Sequence, residues 1–152
     1  MMKTVVFASV YDAARSKMAA AFFNAFTLPS LVRGVSGGAC PLLWVVPEIV
    51  QVMNEVGLDV SSRPQLLPSN ALESAALIVT FADLGPWRTP AGVPRESWDL
   101  PDPRKLPIER VREIRDHLRE RVWKLVAKHG WYRLQPTAVL RHRARREHVL
   151  RT

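Results

Sequence analysis

The chain contains one cysteine, Cys40. A lone thiol excludes an internal disulfide, a CxxC redox pair and a cysteine-based zinc cluster, so any thiol chemistry would fall to Cys40 alone. Free cysteine is usually buried, and Cys40 is expected as a packed or incidental thiol. Long apolar runs are also missing. The longest, "TVVFASV" and "ALIVTFA", fall far short of the roughly 20 residues that a membrane span needs, and no span is predicted. The start "MMKTVVFASVYD" carries one lysine and reaches Asp12 quickly. It lacks the longer apolar stretch and small-residue cleavage site of a secretory signal, which makes a cytoplasmic location the default expectation. No internal repeat is present, and the only biased segment is the Arg-rich end.

What is present fits a globular domain: 152 residues, 47% of them apolar and 24% charged. The net charge of +8 is uneven. From Lys128 onward seven basic residues stand against Glu147 alone, which leaves only +2 for the first 127 residues. We therefore divide the chain into a domain over 1–130 and a basic C-terminal extension over 131–152. The arginines of that extension could meet nucleic-acid phosphates, an anionic membrane surface or an acidic partner, although a solvated end is the expected state. Before the Arg cluster, Trp131, Tyr132, Leu134, Val139 and Leu140 are apolar enough to dock on the body or on a second subunit, as in a homodimer.

Residues 4–10, "TVVFASV", lack polar alternation and are rich in β-branched residues, as in a central parallel strand covered on both faces. From Ala13 to Phe26 apolar residues recur at helical spacing, with Arg15, Ser16, Lys17 and Asn24 at polar positions. "LVRGVSGG" predicts a second strand and "VPEIVQVMNEVGLD" a second helix stopped by Gly57. A third strand is expected around Leu77 to Phe81 and a short fourth near "SWDLPDP". The last helix is "PIERVREIRDHLRERVWKLVAKHG", with Pro107 in its first turn, Gly130 at its end and Ile108, Val111, Ile114, Leu118, Val122 and Leu125 on its apolar face. Strands alternating with helices imply an α/β fold with a parallel sheet, in which ligands collect at the C-terminal strand ends. The turn after the first strand lies there, as does the loop containing Asp102. Such a turn exposes backbone N–H groups at the positive end of a helix, and Arg15 could fork onto two oxygens of phosphate, sulfate or arsenate.

"VVFASVYDAARSKMAAAFF" resembles the phosphate loop of the low-molecular-weight protein tyrosine phosphatase superfamily, most closely its arsenate reductase branch. In that branch the segment reads Cys, five residues, Arg, Ser, then a Met-Ala-rich helix. "GVSGG", "VPEIVQVMNEVGLDVSSRPQ" and "SWDLPDPRKLPIERVREIRDHLRERV" continue the resemblance in order, over residues 3 to about 127. The fold implied is a three-layer αβα sandwich whose four-stranded parallel sheet has the flavodoxin-like order 2-1-3-4. The oxyanion loop implied is Val10, Tyr11, Asp12, Ala13, Ala14, Arg15 and Ser16. Within it Arg15 is the clamp and Ser16 the hydroxyl that steadies a thiolate, while Asp102, followed by Pro103, takes the general-acid position. No metal or cofactor is implied.

Ser9 stands where the family has its nucleophilic cysteine. A thiol is readily ionised by a helix N-terminus and a nearby Arg, whereas a serine hydroxyl needs an adjacent base, and none of His117, His129, His142 and His148 lies in the loop. Asp12 replaces the family's usual Asn, and an ionised carboxylate there would repel an anion. "TFADLGPWRTPAG" lacks the paired cysteines of thioredoxin-coupled arsenate reductases. These departures predict a catalytically impaired homologue, a pseudoenzyme with a binding or regulatory role. Two alternatives stand beside it: an active arsenate reductase or phosphatase represented by a Cys-to-Ser variant, and an interaction module acting through its basic tail. Trp44, Trp87 and Trp98 are candidates for the loop's mouth, with core or rim packing the expectation for each.

Overall fold

The computed structural model describes residues 2–82, 84 and 88–133. Its elements run β1 (Lys3–Ser9), α1 (Arg15–Phe26), β2 (Val32–Gly38), α2 (Pro47–Asn54), α3 (Ser69–Glu73), β3 (Leu77–Thr80), β4 (Arg95–Ser97) and α4 (Ile108–His129). The four strands are parallel and ordered β2-β1-β3-β4, as expected from the sequence. β1 is central because its residues are apolar on both sides. Val5 and Phe7 face the larger core, while Val6 and Ala8 face a smaller cluster with Leu67, Leu72 and Ile78.

The larger core lies between the sheet and helices α1, α2 and α4. Met18, Phe22, Phe23 and Phe26 of α1 are fully buried, each contributing roughly 1.5–3 kcal/mol. Phe26 meets Trp123 of α4 edge-on, and Trp98 packs edge-on against both Phe7 and Phe81. The cover on the opposite face is thinner and includes α3, a five-residue helix that the periodicity did not announce.

Several boundaries differ from the sequence expectation. The second helix closes at Asn54, and a turn through Gly57, at φ 80°, completes it as Leu58 N–H donates to the Met53 carbonyl at 3.0 Å. β4 lies upstream of the expected "SWDLPDP", with Ser97 its last residue. Ser16 and Lys17, assigned above to polar positions of α1, are buried: Lys17 Nζ donates to Ser62 Oγ at 2.9 Å and to the Arg63 carbonyl at 3.3 Å. At the far end, Gly130 takes the left-handed conformation at φ 68° and closes α4 as foreseen. Residues 131–133 then return to the body. Trp131 stacks edge-on with Phe23, and Arg133 N–H donates to the Phe26 carbonyl at 2.9 Å. Leu134 onward, including the Arg cluster of the extension, lies outside the described residues, as does Trp87. No described helix is long and apolar enough to cross a membrane.

Two features hold the frame. Glu55, just after α2, receives both Arg112 and Arg115 of α4 at 2.7–3.0 Å. The Arg112 hydrogen bonds, with help from Arg115 and against the cost of burial, hold its carboxyl below the usual glutamate value. The second feature is Gly38, at the end of β2. A Cβ there would stand 2.8 Å from the Val10 carbonyl oxygen and 2.9 Å from the Asp12 amide, backbone atoms that cannot swing aside.

Two outcomes follow for stability. Glu55→Ala removes one of the partners of the buried Arg115, which keeps Asp116 and the Val52 carbonyl, and lowers stability by about 1 kcal/mol, a value discounted because Glu55 is partly solvent-screened. Because the folded-state value is depressed, the Glu55 contribution is present above the unfolded value and is lost as pH falls through the folded one. In urea titrations the gap between the two proteins therefore closes on acidification, and a gap independent of pH would refute the linkage. Gly38→Ala overpacks the turn after β1 and costs about 1–3 kcal/mol by the same measurement; an unchanged midpoint would contradict the close approach.

Candidate functional site

The turn between β1 and α1, residues 9–15, lies at the C-terminal edge of the sheet. Its peptide groups are oriented by the segment after β2. Ala39 N–H donates to the Ser9 carbonyl, Cys40 to Val10, Leu42 to Tyr11 and Val46 to Ala13, at 2.7–3.1 Å. With these carbonyls turned outward, no described residue accepts from the amides of Tyr11, Ala13 or Ala14. Ala14 at the N-cap of α1 offers no side-chain cap, and no acidic residue occupies the first turn. The positive end of the helix is thus left open toward the turn.

Asp12 makes this geometry possible. Its φ of 49° is a left-handed conformation that Asp and Asn tolerate better than most residues. Its side chain is 0% exposed and lies behind the turn. Oδ1 accepts the Ser16 hydroxyl at 2.8 Å and Oδ2 accepts the Gln65 amide at 2.9 Å. Ser9 Oγ sits 2.8 Å from Ser16 Oγ and accepts the Asp12 amide at 3.1 Å.

In front of the turn is a cavity of about 250 Å³, lined by Ser9, Val10, Tyr11, Ala13, Ala14, Arg15 and Asp102 together with Ala82 and Arg104. The sequence-derived residues thus converge on one hollow except for Asp12 and Ser16, which do not line it. A direct repulsion of an anion by Asp12, expected above, is accordingly softened by its place behind the backbone and by the two hydrogen bonds its carboxylate accepts.

Arg15 Nη1 donates to the carbonyls of Phe81 at 3.0 Å and Leu100 at 2.7 Å, which ties the exits of β3 and β4 to the turn. No described residue accepts from its Nε or Nη2. Burial, opposed by Asp102 and reinforced by Arg104, lowers its pKa, yet a guanidinium remains a cation throughout the accessible pH range. Asp102 is gripped by Arg104 through Nε at 3.0 Å and Nη2 at 2.7 Å. Burial pushes the Asp102 carboxyl up, but the Arg104 hydrogen bonds and the charges of Arg104 and Arg15 outweigh it and bring the value below the usual aspartate range. Asp102 therefore rests as a carboxylate, not as a proton donor. The Arg104 guanidinium also lies over the Tyr11 ring, 4.3 Å from its centroid.

Arg104 was not singled out from the sequence, although it directly follows the Asp-Pro pair. Gln65 carried no signal at all, because its role is to donate a backbone amide to a residue 53 positions away. Cys40 is exposed, a correction to its expected packing: its amide holds the turn while its side chain faces outward. Trp98 is core, whereas Trp44 is 76% exposed and neither core nor rim, with exposed Leu42 and Leu43 beside it. A larger hollow of about 450 Å³ lies between β4 and α4, lined by Glu96, His117, Arg121, Lys124 and others of mixed charge. It lies away from the open amides of the 9–15 turn. Among the described residues no group of three or more His, Cys, Asp or Glu gathers as metal ligands.

No protein-family model matches the chain. A putative arsenate reductase of Halobacterium salinarum is 35% identical over 121 residues, covering 76% of this chain and 85% of that protein. Among solved structures, an arsenate reductase in its phosphate-binding state superposes with a TM-score of 0.69 at 26% identity, over 84% of this chain and 98% of the other. The low-molecular-weight protein tyrosine phosphatase of T. tengcongensis shares the fold with a TM-score of 0.72 at 24% identity, over 83% of this chain and 99% of the other. The order of the strands and the extent of this similarity agree, and the chain belongs to the arsenate reductase family, on a fold that the low-molecular-weight protein tyrosine phosphatase shares.

Proposed function

We propose that the chain binds a tetrahedral oxyanion, phosphate, arsenate or sulfate, over the 9–15 turn and does not carry out the cysteine-dependent reaction of its family. The observation that carries this reading is one cavity in which two guanidiniums, Arg15 and Arg104, stand beside the open end of α1 with a hydroxyl, Ser9, in place of a thiol. Paired charge-assisted donors and uncapped amides are the physical requirements for holding such an anion. A related arsenate reductase with phosphate bound supports the same chemistry for this cavity. Reduction of arsenate by the family's route begins with a thiolate, and the only thiol, Cys40, lies outside the cavity lining. The role that remains is binding, with regulation by a bound anion as its natural extension.

Isothermal titration of inorganic phosphate tests the site. Arg15→Ala and Arg104→Ala each weaken binding about tenfold or more, the worth of one or two charge-assisted hydrogen bonds. Equal affinity in all three proteins would place the anion elsewhere. With arsenate and excess small-molecule thiol, the wild-type chain forms arsenite no faster than the thiol alone, and a protein-dependent rate would overturn the loss of the cysteine reaction.

A further inference from the structure

Between α1, the outer edge of β2 and the segment 59–65 lies a separate cavity of about 220 Å³, whose lining includes Lys17, Ala20, Ser36, Asp59, Val60 and Ser62. Lys17 is only 9% exposed, and lysine is seldom so buried without an acidic partner, because an isolated ammonium is costly to remove from water. Here the partner is missing. Two of its three protons go to neutral acceptors, Ser62 Oγ at 2.9 Å and the Arg63 carbonyl at 3.3 Å, and among the described residues no carboxylate forms an ion pair with it. Asp59 is exposed at the rim and accepts the Ser61 amide at 2.8 Å instead.

A second donor faces the same space. Gly34 and Gly38 of β2 turn their amides away from β1, to Asn24 Oδ1 at 2.8 Å and to the Gln65 carbonyl at 2.9 Å. Successive residues of a parallel strand alternate between its two edges, so Ser36, midway between them, turns its amide outward as well. Its carbonyl accepts Gln65 Nε2 at 2.8 Å, but no described residue accepts from its amide, although Ser36 is buried. Buried backbone N–H groups nearly always find an acceptor. A buried cation without counter-charge and an unmatched amide thus line one cavity, and both call for an acceptor that carries negative charge.

We propose that this cavity is a binding site for a small monocarboxylate, with one oxygen on Lys17 Nζ and the other on the Ser36 amide. Two donors match the two oxygens of a carboxylate, whereas the uncapped amides and paired guanidiniums that suit a tetrahedral oxyanion lie at the 9–15 turn. Ala20 and Val60 give the cavity an aliphatic wall for a short chain. Asp59 at the rim repels a second carboxylate, which sets the preference for a single charge. The inference goes beyond the oxyanion site and does not depend on it.

The test is a titration of butyrate into the isotope-labelled full chain, followed by amide NMR. The Ser36 amide shifts and saturates, and Ser62 and Gln65 follow it, while the amides of Val10 to Ala14 stay in place. Lys17→Met, similar in length but uncharged, weakens binding about tenfold or more, the worth of one charge-assisted hydrogen bond. Ala20→Leu fills the cavity from the helix side and abolishes saturation, which keeps the test decisive should Lys17→Met fail to fold. Arg15→Ala binds butyrate as the wild type does, so the outcome is independent of the oxyanion site. Shifts that grow without saturating, or equal affinity in Lys17→Met or Ala20→Leu, would overturn the proposal. Saturable binding centred on Val10 to Ala14 and lost in Arg15→Ala would overturn it too, by placing the carboxylate at the turn. Succinate binds more weakly than butyrate, and equal affinity would overturn the preference for a single charge.

Discussion

The site depends on the direction in which six peptide groups point. Between Ser9 and Ala14 the chain makes a turn too tight for its own carbonyls and amides to pair with each other, and the segment after β2 resolves the conflict by donating to four of the carbonyls. Each bond adds about 0.5–1.5 kcal/mol, but their larger effect is directional, because a peptide group whose oxygen is held outward presents its N–H inward. The donors must come close for this to work. Gly38 permits the approach, since any side chain at that position would strike the backbone of the turn. A glycine at the end of one strand thereby sets the electrostatics at the end of the next.

Arg15 extends the same logic to the rest of the sheet edge. One of its nitrogens is spent on the carbonyls of Phe81 and Leu100, which lie beyond β3 and β4, so the clamp residue is also the tie that gathers three loops. Asp102 and Arg104 are carried into the cavity by the loop that this tie fixes. Their mutual grip satisfies both charges without an anion present and keeps Asp102 ionised. Beneath the turn, Asp12 takes a backbone conformation unfavourable to most residues and accepts two hydrogen bonds to remain there. The carboxylate is thus a brace for the loop before it can be anything else, and its position behind the backbone is what separates its charge from the cavity.

Much of this was legible in the residues. The unbroken apolar run of β1, the helical spacing of Met18, Phe22, Phe23 and Phe26, and Gly57 and Gly130 as stops are local signals, and the elements they mark form close to where expected. Ser9 and Arg15 were legible together because their spacing within one turn is itself local, whereas Asp102 was placed by the family resemblance and by its loop at the same sheet edge. α3 was not, since five residues are too few to establish a period, and β4 was misplaced because three residues beside a Pro-rich stretch carry little alternation. The burial of Lys17, assigned to a polar position of α1, was not legible for another reason. A polar side chain in an amphipathic helix signals solvent unless a distant loop supplies its partners, and here residues 62–65 do so for Lys17 and Asp12.

The amino-acid sequence by itself determined the order of strands and helices, the parallel sheet and the residue types gathered at its C-terminal edge, because these follow from hydrophobic period and from short-range turn chemistry. Only the tertiary structure decided what those residues face. It placed Arg104 on the cavity, turned Asp12 and Ser16 away from it, exposed Cys40 and buried Trp98. Each outcome is a contact between segments far apart along the chain, whose geometry is set by the packing of the sheet and helices as a whole and leaves no trace in local spacing.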